Sequence, residues 1–333
     1  MSEEIYDITV IGGGPAGMFA GFYGELRDAK VQIIESLSEM GGQVMAIYPE
    51  KTVLDVAGFP AIKASKLVAD QEKQLAGFSP KIRLNETVEN VKKSSSGYEI
   101  ITNKSTSLTK GIVIATGVGA FNPRRLAAEN ADEFEGKNLF YTIKDLEHFK
   151  NHDVLVAGGG DAAIDQALLL ERTAKKVYLL HRRNQYRAME HSVDLLNQSS
   201  IQQVTPYLIK KLEANGQKVT LTAKKMKSEE TKKLTVDDVV VNYGFIAKGD
   251  AIEKWEAKPE MNRGEITIDK TGKTNLENVY SIGDVAMYKG KQPLLTTAFG
   301  EAPVAINSLM ASIYPDRRGP VHSTSIMEHR QKK

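Results

Sequence analysis

No cysteine occurs anywhere in the 333 residues. That absence excludes disulfides, thiolate nucleophiles, dithiol relays and cysteine-held zinc or iron–sulfur clusters. An excess of one charge is also missing: 44 Lys and Arg stand against 42 Asp and Glu, a formal balance of +2. Such a balance gives no long-range pull toward nucleic acid or an anionic membrane surface. No run reaches the roughly 18 uncharged apolar residues that would point to a membrane span. The opening Met1-Ser2-Glu3-Glu4 is acidic where a secretory leader would be basic, so the chain is expected to be cytoplasmic. The six histidines are scattered along the sequence and no HExxH, GxSxG or clustered His/carboxylate motif is visible, so no metal is expected.

What the chain does have is one local pattern written twice. The β-branched run Ile5–Ile11 leads into Gly12-Gly13-Gly14-Pro15-Ala16-Gly17, a helical stretch over 18–27, and a buried strand ending at Glu35. Later, Asp153–Ala157 leads into Gly158-Gly159-Gly160-Asp161-Ala162-Ala163, a helix over 164–173, and a strand over 176–181. Each is a strand–turn–helix–strand unit, and the two are too far apart for a solenoid repeat. The stretches 82–117 and 219–246 read as β-meanders. A strand is expected over 279–284, a long helix over about 296–313, and an irregular tail from Tyr314. With 41% hydrophobic residues and a length of about two domains, the fold class expected is α/β with two Rossmann-like dinucleotide-binding units.

The glycines have a physical reason. A pyrophosphate must come close to backbone N–H groups at a helix N-terminus, where the partial positive charge lies, and a Cβ would hold it off. Gly12, Gly14 and Gly17 occupy the turn, approach and packing positions, and Glu35 can accept hydrogen bonds from both ribose hydroxyls. In the second turn the three positions hold Gly158, Gly160 and Ala163. The strand after it ends in His181, followed by Arg182, Arg183 and Arg187, where an acid would repel a 2′-phosphate and guanidinium groups would pair with it. The first site therefore suits FAD and the second NADPH, which together imply hydride transfer from nicotinamide to flavin.

The order of Gly12–Gly17, Ile114-Ala115-Thr116-Gly117, Gly158–Ala163 and Gly283-Asp284 resembles the thioredoxin reductase-like flavoproteins over essentially the whole chain. That resemblance implies an FAD domain split into 1–117 and 247–333, with an NADPH domain of 118–246 inserted. Thioredoxin reductase carries a Cys-x-x-Cys pair before the second turn, and the matching positions hold Tyr141 and Lys144. The runs Gly41–Lys51 and Asp55–Pro60 and the tail His322-Ser323-Thr324-Ser325 resemble more closely the thioredoxin reductase-type ferredoxin–NADP⁺ reductases of bacteria. These are homodimers that pass electrons from NADPH through FAD to ferredoxin or flavodoxin. The resemblance implies Glu35 and Ala16 at FAD, Gln43 and Tyr48 against the flavin, and Val88 at the adenine through its backbone. It also implies Phe121 near the flavin, Asp284 at the ribityl–phosphate portion, and His322 and Thr324 closing the ring from a tail supplied by the partner subunit. At the second turn it implies Asp161 and Ala162 beside the glycines.

Two other readings share the double fingerprint: a flavin-dependent monooxygenase or oxidase, and a non-enzymatic redox sensor that retains FAD. The basic stretch Lys224-Lys225-Met226-Lys227 reads as solvated surface, diluted by Glu229 and Glu230.

Overall fold

The computed structural model describes residues 5–119, 122–246, 250–317 and 319. Two sheets organise it, one mixed and one parallel. The first has seven strands in the order Lys81–Arg83, Val31–Ile34, Ile5–Ile11, Thr106–Ile114, Gly97–Thr102, Val88–Ser94, and Val279–Ser281 joins it along Thr106–Ile114. Strands 81–83, 31–34, 5–11 and 106–114 run parallel, whereas 88–94, 97–102 and 106–114 form the expected antiparallel meander. Every residue of Ile5–Ile11 after Ile5 is buried, as a central parallel strand covered on both faces must be. Ile8 and Val10 face a layer made by the helices Pro15–Leu26, Ala64–Ala76 and Leu295–Ile313, while Ile11 faces a second cluster containing Trp255 and Ile266.

The second sheet has five strands, all parallel, in the order Leu139–Phe140, Asp238–Asn242, Asp153–Gly158, Lys176–Leu180, Gln202–Val204. The helices Asp161–Glu171 and Glu190–Gln198 pack on one another, and their buried residues Ile164, Ala167 and Leu196 share one core with the sheet. A separate antiparallel sheet joins Tyr207–Asn215, Lys218–Lys225 and Thr231–Val236. Here the reading of 219–246 as one meander is corrected. The meander starts earlier, at Tyr207, and Asp238–Asn242 leaves it for the parallel sheet. The strand 207–215 hides in the sequence because a bulge between Ile209 and Lys211 breaks its alternation.

Both turn helices begin earlier than expected, at Pro15 and at Asp161. Gly14 and Gly160 are the N-caps, with no side chain satisfying the first N–H groups. Pro15 suits the first helical position because its missing N–H would be unpaired there anyway. The helix ends are thus part of the glycine turns, and their free N–H groups face whatever the turns hold.

Candidate active site

Three glycines of the first turn serve different purposes. Gly12 has φ +107°, and a Cβ on it would stand 2.4 Å from the Ala115 carbonyl oxygen. On Gly17 it would stand 1.9 Å from the Gly12 carbonyl oxygen, so these two are demanded by packing. A Cβ on Gly14 would meet nothing nearer than the Gly42 Cα at 3.9 Å. Gly14 therefore keeps open the approach to the helix N-terminus. Glu35, only 5% exposed, is fixed beside it: Gly13 N–H donates to Oε2 at 2.6 Å and Leu37 N–H to Oε1 at 2.8 Å. These two backbone donors and the Ser36 hydroxyl, which donates to Oε1 at 3.2 Å, hold the carboxylate and leave Oε2 able to accept one further hydrogen bond.

A cleft of about 1360 Å³ opens over this turn, above the roughly 300–1,000 Å³ of common small-molecule sites. Gly12, Gly14 and Ala16 line it at the turn, and Glu35, Val88, Gln43, Tyr48 and Asp284 line it as well. Gly17 is buried behind the wall. Phe121, His322 and Thr324 lie outside the described residues. Burial pushes the Tyr48 hydroxyl up to about 12, with Asp284 and Asp55 adding to it. Burial also raises the Asp284 carboxyl; Lys291 opposes this and Glu301 adds to it. A cleft of this size with unpaired helix N–H groups at an open glycine and a fixed carboxylate beside them fits FAD.

The turn that presents Asp284 has its own support. Gly283, at φ +69°, donates its N–H to Glu301 Oε2 at 2.8 Å, and Lys291 Nζ donates to the Gly283 carbonyl at 2.7 Å. Lys291 and Glu301 pair at 2.7 Å with side chains only 4% and 10% exposed.

The second glycine turn does not line the cleft. A Cβ on Gly158 would stand 2.6 Å from Ala163 Cβ, and one on Gly159 would lie 2.2 Å from the His181 ring. His181 thus packs against the turn and stacks on Tyr186, with ring centroids 5.6 Å apart. Burial lowers its pKa, Arg182 and Arg183 lower it further, and its Nε2 is buried without a hydrogen-bond partner. Gly160 leaves space, its nearest obstacle being the Arg187 carbonyl oxygen at 3.6 Å. Arg187 N–H donates to the Gly159 carbonyl at 2.7 Å, and Met189 N–H donates to Asp161 Oδ1 at 2.8 Å. Asp161 therefore anchors the arginine segment, while Ala162 is exposed and Ala163 is buried. Arg182, Arg183 and Arg187 are exposed and, among the described residues, make no ion pair.

The model of the pyridine nucleotide-disulphide oxidoreductase family matches residues 6–308. The chain belongs to this family. It is 51% identical to the ferredoxin–NADP reductase of Lactiplantibacillus plantarum over 98% of this chain and 99% of that protein. The ferredoxin–NADP reductase of Pediococcus pentosaceus is 48% identical over 98% and 99%. Among solved structures, T. acidophilum thioredoxin reductase superposes with a TM-score of 0.80 at 25% identity, covering 93% of this chain and 99% of that one. The expected fold class, two Rossmann-like units of the thioredoxin reductase type, is the one this family has. No helix among the described residues is long and apolar enough to cross a membrane.

The chain has no cysteine, although its family is described by disulphide oxidoreduction. Tyr141 and Lys144, at the positions of the missing pair, line the cleft. Tyr141 donates to Glu135 Oε1 at 2.8 Å and accepts from Leu126 N–H at 3.1 Å. Other lining residues escaped the sequence reading: Leu294, Leu295 and Ala298, which bring the N-terminus of the 19-residue helix Leu295–Ile313 to the wall. A loop-to-helix junction far along the chain was the available signal, since a helix N-terminus carries partial positive charge. Two lysines of the basic stretch are internally spent, Lys224 on Glu229 and Lys225 on Glu230.

Proposed function

We propose that the protein is an FAD-dependent oxidoreductase moving electrons between NADPH and ferredoxin or flavodoxin, with no dithiol step. One observation carries the reading: a single cleft is lined by Glu35, the open Gly14, Tyr48 and Asp284, and also by Tyr141 and Lys144 where a thiol relay would need sulfur. Bound FAD supplies hydride acceptance and release of electrons one at a time. The chain's own residues position and insulate. Backbone N–H groups at the Gly14 helix start meet the pyrophosphate, and Glu35 accepts from the ribose hydroxyls. Tyr48 and Gln43 lie against the ring, Val88 contacts the adenine end, and Asp284 hydrogen-bonds the ribityl portion. Tyr48 stays protonated at neutral pH and so presents a neutral aromatic face with a hydroxyl donor.

At the second turn, Gly158, Gly160 and the start of the helix after it receive the NADPH pyrophosphate. Arg182, Arg183 and Arg187 pair with the 2′-phosphate, Asp161 holding their segment in place. We assign 1–117 and 247–333 to the FAD domain and 118–246 to the NADPH domain. The same reading has the protein work as a cytoplasmic homodimer.

The test is anaerobic transfer of electrons from NADPH to ferredoxin, compared with NADPH-dependent oxygen consumption by the same preparation. Fast ferredoxin reduction with slow oxygen uptake is expected. Oxygen uptake that outpaces ferredoxin reduction would instead identify a monooxygenase or oxidase.

A further inference from the structure

Histidines that are scattered in sequence are not all scattered in space. His148 lies in the single helical turn Glu147–Phe149, His152 immediately precedes the strand Asp153–Gly158, and Asp238 opens the strand Asp238–Asn242. Folding brings them to one point: His152 Nδ1 lies 2.7 Å from Asp238 Oδ2 and His148 Nε2 lies 3.4 Å from Asp238 Oδ1. One nitrogen or oxygen of each residue falls within 4.8 Å of the others. We propose that His148, His152 and Asp238 form a site for one divalent transition-metal ion of the zinc class.

Ligand chemistry and geometry agree. Two imidazole nitrogens and a carboxylate oxygen are a zinc donor set, with a fourth position left to water. Metal–ligand bonds of about 2.0–2.2 Å place tetrahedral ligands roughly 3.3–3.5 Å apart, and His148 and Asp238 already stand at that separation. Asp238 is 2% exposed, so the carboxylate does not swing, while both imidazoles reach solvent and give the ion a path in. The His148 ring packs edge-on against Phe140 and Phe149, at centroid distances of 5.0 and 4.8 Å. Charge favours a cation as well. The carboxylates of Asp153 and Asp237 adjoin the site and share the single ammonium of Lys218, at 3.4 and 3.0 Å. Among the described residues Asp238 has no lysine or arginine partner. The ion takes the place of the hydrogen bond between His152 Nδ1 and Asp238 Oδ2, and the imidazole then carries its one N–H on Nε2.

This site is at the end of the parallel sheet opposite the second glycine turn, which closes the other end of Asp153–Gly158 roughly 16 Å away. An ion there ties the segment 148–152 to the strand 238–242 without touching the nucleotide. The probe is zinc sulfate added to FAD-loaded, chelator-washed protein, followed by dialysis and metal analysis, with cobalt(II) as a visible reporter. One zinc per chain is expected, with the visible absorption of four-coordinate cobalt and a Tm raised by roughly 5 °C. His148→Ala and His152→Ala should each weaken zinc binding at least about 30-fold and abolish the Tm shift, with flavin absorbance and NADPH turnover unchanged. His191→Ala should behave as the parent. Failure of the parent to retain zinc, or equal retention by His148→Ala, would overturn the assignment.

Discussion

Glu35 shows how a single residue's role is set by its surroundings. Gly13 and Leu37 N–H groups aim its carboxylate, and hydrogen bonds to a charged acceptor are worth about 1.5–3 kcal/mol each. Glu35→Ala should therefore weaken FAD binding by roughly 10- to 100-fold, read from fluorescence titration of the apoprotein. Unchanged affinity would remove Glu35 from the ribose. Arg182 and Arg183 carry the corresponding assignment for the second coenzyme. Replacing both with Ala should raise the NADPH KM by roughly 10- to 100-fold and leave the NADH KM nearly as it was, because only NADPH brings the extra phosphate. Equal losses for both coenzymes would place the arginines elsewhere. Residues of this kind carry a local signal in the sequence, since phosphate approach asks for glycine and phosphate charge for arginine. Lys51 and Asp165, paired at 2.5 Å across 114 residues of chain, carry none, because nothing local in either segment names its partner. The same holds for His148, His152 and Asp238.

At the scale of elements, the helix Leu295–Ile313 links packing to the site. Ala298, Ala302, Ala305, Ile306 and Leu309 bury one face, and Leu309 fills the space that a side chain at Gly111 would take. From the same helix Glu301 reaches Lys291 and Gly283, fixing the turn that presents Asp284. Removing one member of a buried pair strands the other charge at a cost of about 3–5 kcal/mol, whereas replacing both with apolar groups does not. Glu301→Ala should lower Tm by roughly 10 °C and loosen FAD, and Lys291→Met/Glu301→Leu should recover most of the Tm without the FAD affinity. A Tm loss in the double variant as large as in the single one would show that the pair is not the support. Elements themselves were readable where hydrophobic period was unbroken, as in Ile5–Ile11. They were misread where a bulge shifted the alternation at Tyr207–Asn215, and where glycine N-caps let helices start inside the turns at Pro15 and Asp161.

Taken whole, the molecule has an alkaline limit written into its aromatic residues. Tyr48, Tyr141, Tyr186 and Tyr243 are each raised from 10.0 to about 12, with burial the largest cause at all four. In the unfolded chain these groups ionise near their ordinary value, so between about pH 10 and 12 the unfolded state loses protons that the folded state keeps. Their contribution to stability is fully present below pH 10 and is lost as pH rises toward 12. Urea midpoints should fall across that window together with the rise of tyrosinate absorbance. Ionisation of all four near pH 10 with the fold intact would contradict their burial.

The whole molecule also carries the central claim, that two coenzymes meet on one chain with no sulfur between them. Stopped-flow absorbance tests it directly: FAD-loaded protein is mixed anaerobically with NADPH, then with oxidised ferredoxin. The account predicts bleaching of the flavin band by NADPH and its return as ferredoxin becomes reduced. A flavin band that NADPH leaves untouched, or that bleaches and is not reoxidised by ferredoxin or flavodoxin, would contradict it.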